Sequence, residues 1–355
     1  MKKRKVYMLA LISLMLFLMG CSPSTDDKND FVSESNFYLD TIVNIKIYNP
    51  TDKTEEIFDK VFNRIEVLEK TLSVHIKGSD LYHIKENAGI KPVKVSEETF
   101  FVIEKSIHYA EISQGCFDIT TGPLIDLWNI NPPEGHVPTQ EELKDVSNII
   151  DYKKIVLDKD NLTIFLEDKG MIANLGAIAK GYIADEVKKV LIENEVERAI
   201  INLGGNVLLV GDRSDGSDYS IGVQDPLSDR GAYLGLIKSK HNSLVSSGDY
   251  ERYFIKDGKK YHHILNPFTG YPADNELMQV TIISHNSIDA DALSTTTFLL
   301  GLDKGINLIE EMDNIEGVFI TKDHKIYLTS GIQDKFVFDE EDYGQIYEVI
   351  KNTAD

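Results

Sequence analysis

Apolar residues recur along the chain at two spacings, and each spacing predicts a different kind of element. Between Ile57 and Leu72 they return every three or four positions, as on one face of a helix, and Asp52 with Glu55 forms the expected N-terminal cap. Ser96 is the expected first residue of a second such helix. Helical periodicity predicts helices over residues 57–72, 96–110, 176–194, 289–300 and 304–312.

Short alternating or apolar runs predict the strands. The segment Asn36–Tyr48 alternates and is rich in Ile, Val, Tyr and Thr, and residues 154–158 and 162–167 predict a hairpin around Asp160–Asn161. Helices mixed with many short strands predict an α+β fold of mostly antiparallel sheets with flanking helices, as one large domain or as two intimate lobes. The other predicted strands are residues 199–203, 207–210, 219–223, 234–238, 244–246, 253–256, 278–284, 317–321 and 325–328.

The N-terminus carries the pattern of a secretion signal. Basic residues Lys2–Lys5 precede an apolar run, Val6–Met19, that is short for a membrane span. Gly20 and Cys21 follow, which is typical of a bacterial lipoprotein signal cut before a cysteine that then carries lipid. The alternative is an ordinary signal peptide with a chance cysteine. The expected divisions are a signal peptide over 1–20, a flexible tether over 21–34 and one domain over 35–355.

Charge and cysteine content limit the classes of partner. The net charge is −21, and loss of the basic signal residues would make it more negative, which argues against nucleic acid and against a polybasic membrane contact. Binding of a polyanion would therefore need a local cation or a metal ion. Cys116 is the second of two cysteines, so a lipidated Cys21 leaves no disulfide. We expect a protein anchored by lipid to the extracytoplasmic face of the cell membrane.

The segment Asn174–Val187, NLGAIAKGYIADEV, places small residues and a cation at an expected helix start. Gly176 and Ala177 would let a ligand lie close to the backbone, and Lys180 lies among the small residues. Unpaired N–H groups and the positive dipole end of a helix suit a phosphate or pyrophosphate. Close packing of a glycine-rich helix explains the same residues, so this segment alone does not distinguish a phosphate-binding site from a structural contact.

A second segment, Asp289–Thr297, predicts a helix that carries oxygen ligands. Asp291 and Thr295 are four residues apart and would share a face. A carboxylate beside a hydroxyl suits Mg²⁺, which keeps open positions for phosphate oxygens. The alternative is a helix cap with Ser/Thr hydroxyls bonded to the helix backbone.

Two adjacent histidines offer a group for proton transfer. His262 and His263 fall in a strand-like segment, where neighbouring side chains point to opposite faces, so at most one would face a site. A structural histidine is the alternative. The segments GCFDITTGPL, before Trp128, and INLGGN are candidate ligand-approach points, for which a polar turn and a structural bulge are the alternatives.

Taken together, these segments resemble the ApbE family of flavin transferases over about residues 35 to 335. The resemblance is carried by the Leu39–Thr41 start, the Ser73…Ser79…Asn87 segment, GCFDITTGPL, NLGAIAKGY, INLGGN, SSGDYER, HHILNPFTGYP and DALSTTTFLLG, in that order. It implies an enzyme that cleaves FAD and moves FMN onto a threonine or serine hydroxyl of an extracytoplasmic acceptor protein, with Mg²⁺ required and AMP released.

The resemblance also implies roles for individual residues. Mg²⁺ would be held by Asp291, Ser294, Thr295 and the backbone of Ala177, and His263 and Asp291 would be catalytic. Departures from the family pattern, such as Asn174 in place of the usual aspartate and His75 in place of tyrosine, would affect cofactor affinity more than reaction class. The residues expected to bind FAD are Leu39, His75, Asn87, Cys116, Phe117, Asp118, Asn174, Lys180 and Leu265.

Two rival functions use the same residues. An FAD pyrophosphatase would release free FMN and AMP, with water in place of the acceptor hydroxyl. A flavin-binding or solute-binding lipoprotein would show no turnover.

Overall fold

The computed structural model describes residues 30–130 and 135–351. The predicted signal peptide, Cys21 and the greater part of the predicted tether lie outside the described residues. The first strand begins at Phe31, whose Cα pairs with that of Tyr48 on the neighbouring strand. Residues 31–34, assigned above to the tether, are therefore held in a sheet.

Nine α-helices are present in the described part of the chain, and the segment that starts at Ser96 is confirmed as a helix. The Ser96 hydroxyl accepts a hydrogen bond from the N–H of Thr99, as a cap should. The helices are α1 Thr54–Leu72, α2 Asp80–Glu86, α3 Glu97–Ile112, α4 Gly122–Trp128, α5 Gln140–Ser147, α6 Ala179–Glu193, α7 Ser287–Leu300, α8 Leu302–Glu310 and α9 Glu340–Tyr343, with 3₁₀ turns at Tyr152–Lys154 and Ser330–Ile332.

The strands include all the predicted short runs and several that were not predicted. They are β1 Phe31–Tyr38, β2 Thr41–Tyr48, β3 Val93–Lys94, β4 Ile155–Asp158, β5 Thr163–Leu166, β6 Ala199–Leu203, β7 Asn206–Val210, β8 Tyr219–Gln224, β9 Tyr233–Ser239, β10 Ser243–Gly248, β11 Tyr253–Lys256, β12 Lys259–His262, β13 Leu277–Ser284, β14 Glu316–Thr321, β15 Lys325–Leu328, β16 Phe336–Phe338 and β17 Glu348–Lys351.

One nine-stranded sheet organises the protein, in the order β1-β2-β6-β7-β10-β13-β14-β15-β17. Its pairs are antiparallel except β15 with β17. The strands β16, β9 and β8 form a second sheet, β3, β5 and β4 a third, and β11 pairs with β12. The predicted α+β class with mostly antiparallel sheets is confirmed.

Both faces of the large sheet are buried at β13 and β14, which explains the continuous apolar runs of these strands, whereas the edge strand β1 is mostly exposed. Val280 and Ile282 of β13 join the cluster formed with α1, α3, α6 and α7, whereas Ile283 joins a cluster with β8, β9 and β16. A third cluster surrounds Trp128. From Phe31 onward the described chain packs as one compact unit.

Three predicted boundaries are wrong in detail. Residues 36–48 form a hairpin, not one strand, because Leu39 and Asp40 both adopt positive φ (55° each) and make a two-residue turn without glycine. Asp52 lies two residues before α1 and does not cap it; Thr54 Oγ1 instead accepts from the N–H of Thr51 at 2.7 Å. The predicted elements also end too early. Three more, β16, α9 and β17, follow the last predicted hairpin, and β17 is the edge strand of the large sheet beside β15.

The start of α6 also differs from the prediction. The helix begins at Ala179, three residues after the expected Gly176. The N–H of Gly176 donates to Oδ1 of Asn174 at 2.9 Å, which holds the preceding residues in a turn. In the described part of the chain, no helix is long and apolar enough to span a membrane.

Candidate active site

Asp291 lies at the contact between α6 and α7. Its side chain is buried, and Oδ2 accepts a hydrogen bond from the N–H of Gly181 at 2.8 Å. The helices come this close because residue 181 has no side chain: a Cβ there would lie 2.3 Å from the carbonyl oxygen of Ser287. Burial raises the pKa of the Asp291 carboxyl, and the charge of Lys180 opposes this rise.

Three hydroxyls lie together one turn along α7 from Asp291. Ser247 on β10 is 2.8 Å from Oγ of Ser294 and 3.2 Å from Oγ1 of Thr295, and Ser294 Oγ donates to the carbonyl of Asp291 at 2.9 Å. Asp291 and Thr295 occupy positions four apart on α7, as the spacing predicts. Ser247 was not among the predicted site residues; its presence in the SSGDYER segment was the only signal.

The carbonyl of Ala177 is available to this group for a geometric reason. In a continuous helix the N–H of Gly181 would donate to the carbonyl four residues earlier, which is that of Ala177. Here that N–H donates to Asp291 instead. The start of α6 thus leaves the carbonyl of Ala177 without the hydrogen bond that Gly181 would make in a continuous helix.

These oxygens fit Mg²⁺ better than a closed zinc site. Within the described residues, no three His, Cys, Asp or Glu side chains converge as metal ligands. The set consists of one carboxylate, the hydroxyls of Ser294 and Thr295, and a backbone carbonyl. Mg²⁺ is typically held by one or two carboxylates and completes its shell with water and phosphate oxygens, whereas structural zinc takes Cys and His.

Lys180 connects the metal-binding candidates to His263. Its Nζ lies 3.5 Å from the carbonyl of Gly176; its charge opposes the burial-driven rise in the pKa of Asp291 and adds to the lowering of the pKa of His263. Lys180 also directly precedes Gly181, whose N–H binds Asp291, so its backbone lies beside that residue at the start of α6.

The surroundings of His263 favour the neutral form of its imidazole. Its backbone N–H and its Nδ1 lie 3.1 Å and 3.3 Å from the carbonyl of Arg252, so Nδ1 carries the proton and Nε2 is an acceptor. Dense surroundings and then the charge of Arg252 lower the pKa well below its ordinary value, although part of the side chain stays accessible. A neutral imidazole with a free Nε2 suits a general base.

His262 has a different environment. It is buried, its Nε2 lies 2.9 Å from the carbonyl of Ala273, and its Nδ1 accepts from the N–H of Ile264 at 3.3 Å. Both ring nitrogens are thus used inside the protein. β12 ends at His262, so His263 lies just beyond the strand, but the two rings still have separate partners.

A polar turn forms the second part of the candidate site. Asp118 Oδ1 accepts from the N–H and the hydroxyl of Thr120, each at 2.7 Å, and Oδ2 accepts from the N–H of Tyr152 at 2.9 Å. Burial raises the pKa of the Asp118 carboxyl despite these bonds. The N–H of Asn174 donates to the carbonyl of Ile119 at 2.7 Å, which joins the turn to the segment before α6.

The segment that follows His263, residues 264–270, packs against this turn and the helix α4 after it. Trp128 Nε1 donates to the carbonyl of Gly270 at 2.7 Å, and the exposed ring of Phe268 lies against Gly115. The predicted residues Phe117 and Leu265 are buried, so their side chains mainly support the site from within the core. Cys116 is half-buried, and burial raises the pKa of its thiol.

Leu39, His75 and Asn87 lie on other elements. The N–H of Leu39 donates to Glu69 on α1 at 2.6 Å, and the adjacent Asp40 lies close enough to Arg252 for its charge to act there. His75 is exposed, and its backbone N–H donates to the hydroxyl of Ser73 at 3.2 Å.

Asn87 ends α2 and donates from Nδ2 to the carbonyl of His83 at 2.8 Å. In the described structure, neither His75 nor Asn87 hydrogen-bonds to the group around Asp291. Their predicted roles remain predictions.

Comparison with known proteins identifies the group to which this chain is related. The sequence model described as the ApbE family matches residues 39–319. An FAD:protein FMN transferase of Klebsiella pneumoniae (strain 342) is 36% identical over 326 residues, which are 92% of this chain and 99% of the relative. One of Treponema pallidum (strain Nichols) is 30% identical and spans 85% of this chain and 88% of its own length.

Solved structures agree with the sequence relatives. The ApbE protein of Thermotoga maritima has a TM-score of 0.80 and 29% identity, and covers 86% of this chain and 99% of its own. The flavin transferase ApbE of Vibrio cholerae has a TM-score of 0.78 and 26% identity, with the same coverage. The predicted fold and the prediction of a transferase are confirmed, and the chain belongs to the ApbE family.

Proposed function

We propose that this protein is a Mg²⁺-dependent FAD:protein FMN transferase whose acceptor is an extracytoplasmic protein. The observation that carries the proposal is the contact between α6 and α7, where Gly181, the residue after Lys180, binds Asp291 and where hydroxyls follow one turn along α7. His263, whose Nδ1 bonds to the carbonyl of Arg252, is the candidate base. Such a group supplies an oxygen ligand set, a cation and a base to one phosphate. It is what cleavage of a pyrophosphate requires.

The reaction exchanges the phosphoanhydride bond of FAD for a phosphoester bond to the acceptor. The acceptor threonine or serine oxygen forms a bond to the phosphorus of the FMN half of FAD, and the bond from that phosphorus to the bridging oxygen breaks, which releases AMP. His263 Nε2 takes the hydroxyl proton. Lys180 and the start of α6 stabilise the negative charge on the phosphoryl oxygens.

Asp291, Thr295, Ser294 and the carbonyl of Ala177 would hold Mg²⁺. When bound, the ion would neutralise charge on the pyrophosphate oxygens. The protein's own contribution is to keep these ligands in place: Gly181 fixes one oxygen of Asp291, and Ser247 contacts the hydroxyls of Ser294 and Thr295.

The test is to incubate the detergent-solubilised full-length protein with FAD and Mg²⁺, with and without candidate extracytoplasmic acceptor proteins. AMP is measured by chromatography and the mass of the acceptor by mass spectrometry. We expect AMP together with an FMN mass increment on a threonine or serine, and neither product with EDTA. Free FMN with an unmodified acceptor would indicate a pyrophosphatase, and absence of AMP would indicate a binding protein.

We further propose that Cys21 carries the lipid that anchors the protein to the cell membrane on its extracytoplasmic face. The support is the sequence pattern of an apolar run that ends in Gly20 and Cys21. Cys21→Ser should release the protein from membranes, or leave its precursor uncleaved, and should abolish incorporation of labelled palmitate. Cys116→Ser is the matched control and should keep both. Normal processing and retention of the Cys21 variant would contradict the proposal.

A further inference from the structure

The helices α6 and α7 begin without caps of their own. The residues before them are Ile178 and Asn286, and neither side chain accepts a hydrogen bond from a backbone N–H of its helix. Asn286 Nδ2 instead donates to the side chain of Asp289 at 2.9 Å. The first N–H groups of a helix have no partner within the helix, and leaving them unpaired in a buried contact costs stability. The partners of these two helix starts must therefore come from elsewhere.

Each helix supplies the cap of the other. Asp185 of α6 accepts from the N–H of Ser287 at 2.8 Å and from that of Ile288 at 2.9 Å, which are the first two residues of α7. In return, Asp291 of α7 accepts from the N–H of Gly181, the third residue of α6. A carboxylate at a helix N-terminus is also favoured by the helix dipole.

The two halves of this contact have the same spacing. Asp185 lies four residues after Gly181, and Asp291 lies four residues after Ser287, so each helix presents a backbone N–H and a carboxylate on one face. The first turn of α7 is held on its other side as well. The hydroxyl of Ser287 donates to Oδ1 of Asn206 and accepts from Ser243, each at 2.8 Å.

From this geometry we infer that Asp185 is a positioning residue for the Mg²⁺ site, an inference that rests on the proposed use of Mg²⁺ by this family member. Among the described residues, Asp185 hydrogen-bonds to the N–H groups of Ser287 and Ile288 and to none of the proposed ligands. By capping α7 it fixes that helix along α6, and so it fixes Asp291 and Thr295 relative to Lys180. Without it, the bond from Gly181 to Asp291 would be all that remains of the reciprocal caps between the two helix starts.

The test compares caps on two different helices. Asp80 is the matched control, because its Oδ2 accepts from the N–H of Ser96 at 2.9 Å and caps α3, which carries none of the proposed metal ligands. The full-length variants Asp185→Ala, Asp185→Asn and Asp80→Ala are titrated with MgCl₂ in the absence of FAD. The Mg²⁺-induced rise in Tm is measured, and then AMP formation from FAD across the same Mg²⁺ range.

We expect Asp185→Ala to raise the Mg²⁺ concentration of half-maximal effect about tenfold or more in both measurements, as is typical when a group that orients a metal ligand is lost. The rate at saturating Mg²⁺ should fall far less. Asp185→Asn should lie between this variant and the wild type. Asp80→Ala should lower Tm in the same way but leave the Mg²⁺ midpoint within about twofold of the wild type.

Equal Mg²⁺ midpoints in wild type, Asp185 variants and the Asp80 variant would overturn the inference and make Asp185 a stability residue only. If Asp185→Ala does not fold, Asp185→Asn decides the question alone. A wild-type protein whose Tm does not respond to Mg²⁺ would overturn both this inference and the metal part of the proposed function. A shifted midpoint with no flavinylated acceptor would leave the positioning role standing and contradict the transferase reaction alone.

Discussion

Asp118 and Asp291 are both aspartates of the candidate site whose pKa burial raises, yet their carboxylates are used differently. Asp118 accepts three hydrogen bonds from its own chain, two on Oδ1 and one on Oδ2. Asp291 accepts one, from Gly181, among the described residues. The first carboxylate is occupied in building a turn, whereas the second retains an oxygen for a ligand.

The surroundings of the two groups strengthen this contrast. The cation Lys180 acts on Asp291, whereas the nearby charge at Asp118 is that of Asp151, which has the same sign. Near Asp291, a metal ion would meet a carboxylate and a phosphate would meet Lys180, whereas at Asp118 the carboxylate is already used by hydrogen bonds within the turn. A sequence motif that contains an aspartate does not show whether the carboxylate binds a ligand or builds a turn, but its hydrogen-bond partners do.

Among the variants, Asp291→Ala should have the largest effect on activity. Loss of the carboxylate should lower AMP formation from FAD about a thousandfold or more, because a metal ion supplies several kcal/mol of charge stabilisation to such a reaction. Initial AMP release at saturating FAD and Mg²⁺ measures this effect, with circular dichroism to check folding. Asp289→Asn is the control. Asp289 lies on the same helix as Asp291, but its side chain pairs with Lys105 and Tyr109 of α3. Near-normal activity of Asp291→Ala would refute the assignment.

The next prediction separates the two histidines. His263→Ala should slow flavinylation by about 100- to 10,000-fold, the usual contribution of a general base, with FAD affinity mostly kept. His262→Ala should instead lower Tm, because it leaves the carbonyl of Ala273 and the N–H of Ile264 without their partner. The measurements are the initial flavinylation rate of a threonine-containing acceptor and FAD affinity by fluorescence quenching. A slower His262 variant would reverse the roles given to the rings.

Much of the fold was predictable because local periodicity records which face of an element is buried. The α7 helix and the spacing of Asp291 and Thr295 are of this kind, since both follow from 3.6 residues per turn. The hairpin turn at Leu39 and Asp40 was not predicted, because Leu39 gives no signal of positive φ and no glycine accompanies Asp40, although aspartate is enriched at positive φ.

The contacts that complete the site depend on residues distant in sequence. Gly181 and Asp291 are 110 positions apart, and Asp185 and Ser287 are 102 apart. Ser247 on strand β10 contacts Thr295 on helix α7. No local pattern encodes such pairs, since each partner has its own ordinary local explanation. Only the packing of α6 on α7 shows that a helix-start glycine and a helical aspartate form one structure.

Asp118→Ala should act mainly on stability, and so sharpens the contrast with Asp291. Three donors would lose their acceptor, which should lower the free energy of unfolding by about 2–3 kcal/mol. The Mg²⁺ midpoint of AMP formation should stay near that of the wild type, while KM for FAD rises. Urea unfolding and a Mg²⁺ titration test both parts, with Asp126→Ala on the adjoining helix as an exposed control. A shifted Mg²⁺ midpoint would place Asp118 in the metal region after all.

The smallest expected effect is on the pH dependence of stability. Burial lowers the pKa of His262, so below the ordinary value of 6.5 the unfolded chain binds a proton that the folded protein does not. Stability from this group is present above that pH and is lost as pH falls, by at most about 1.4 kcal/mol per pH unit. Burial of Asp185, with a pKa raised to about 6, acts in the opposite sense. The difference between wild type and His262→Gln in urea unfolding at pH 7 and pH 5 therefore isolates the histidine: wild type should lose more. Equal losses would show that His262 titrates normally and is less enclosed than its contacts with Ala273 and Ile264 indicate.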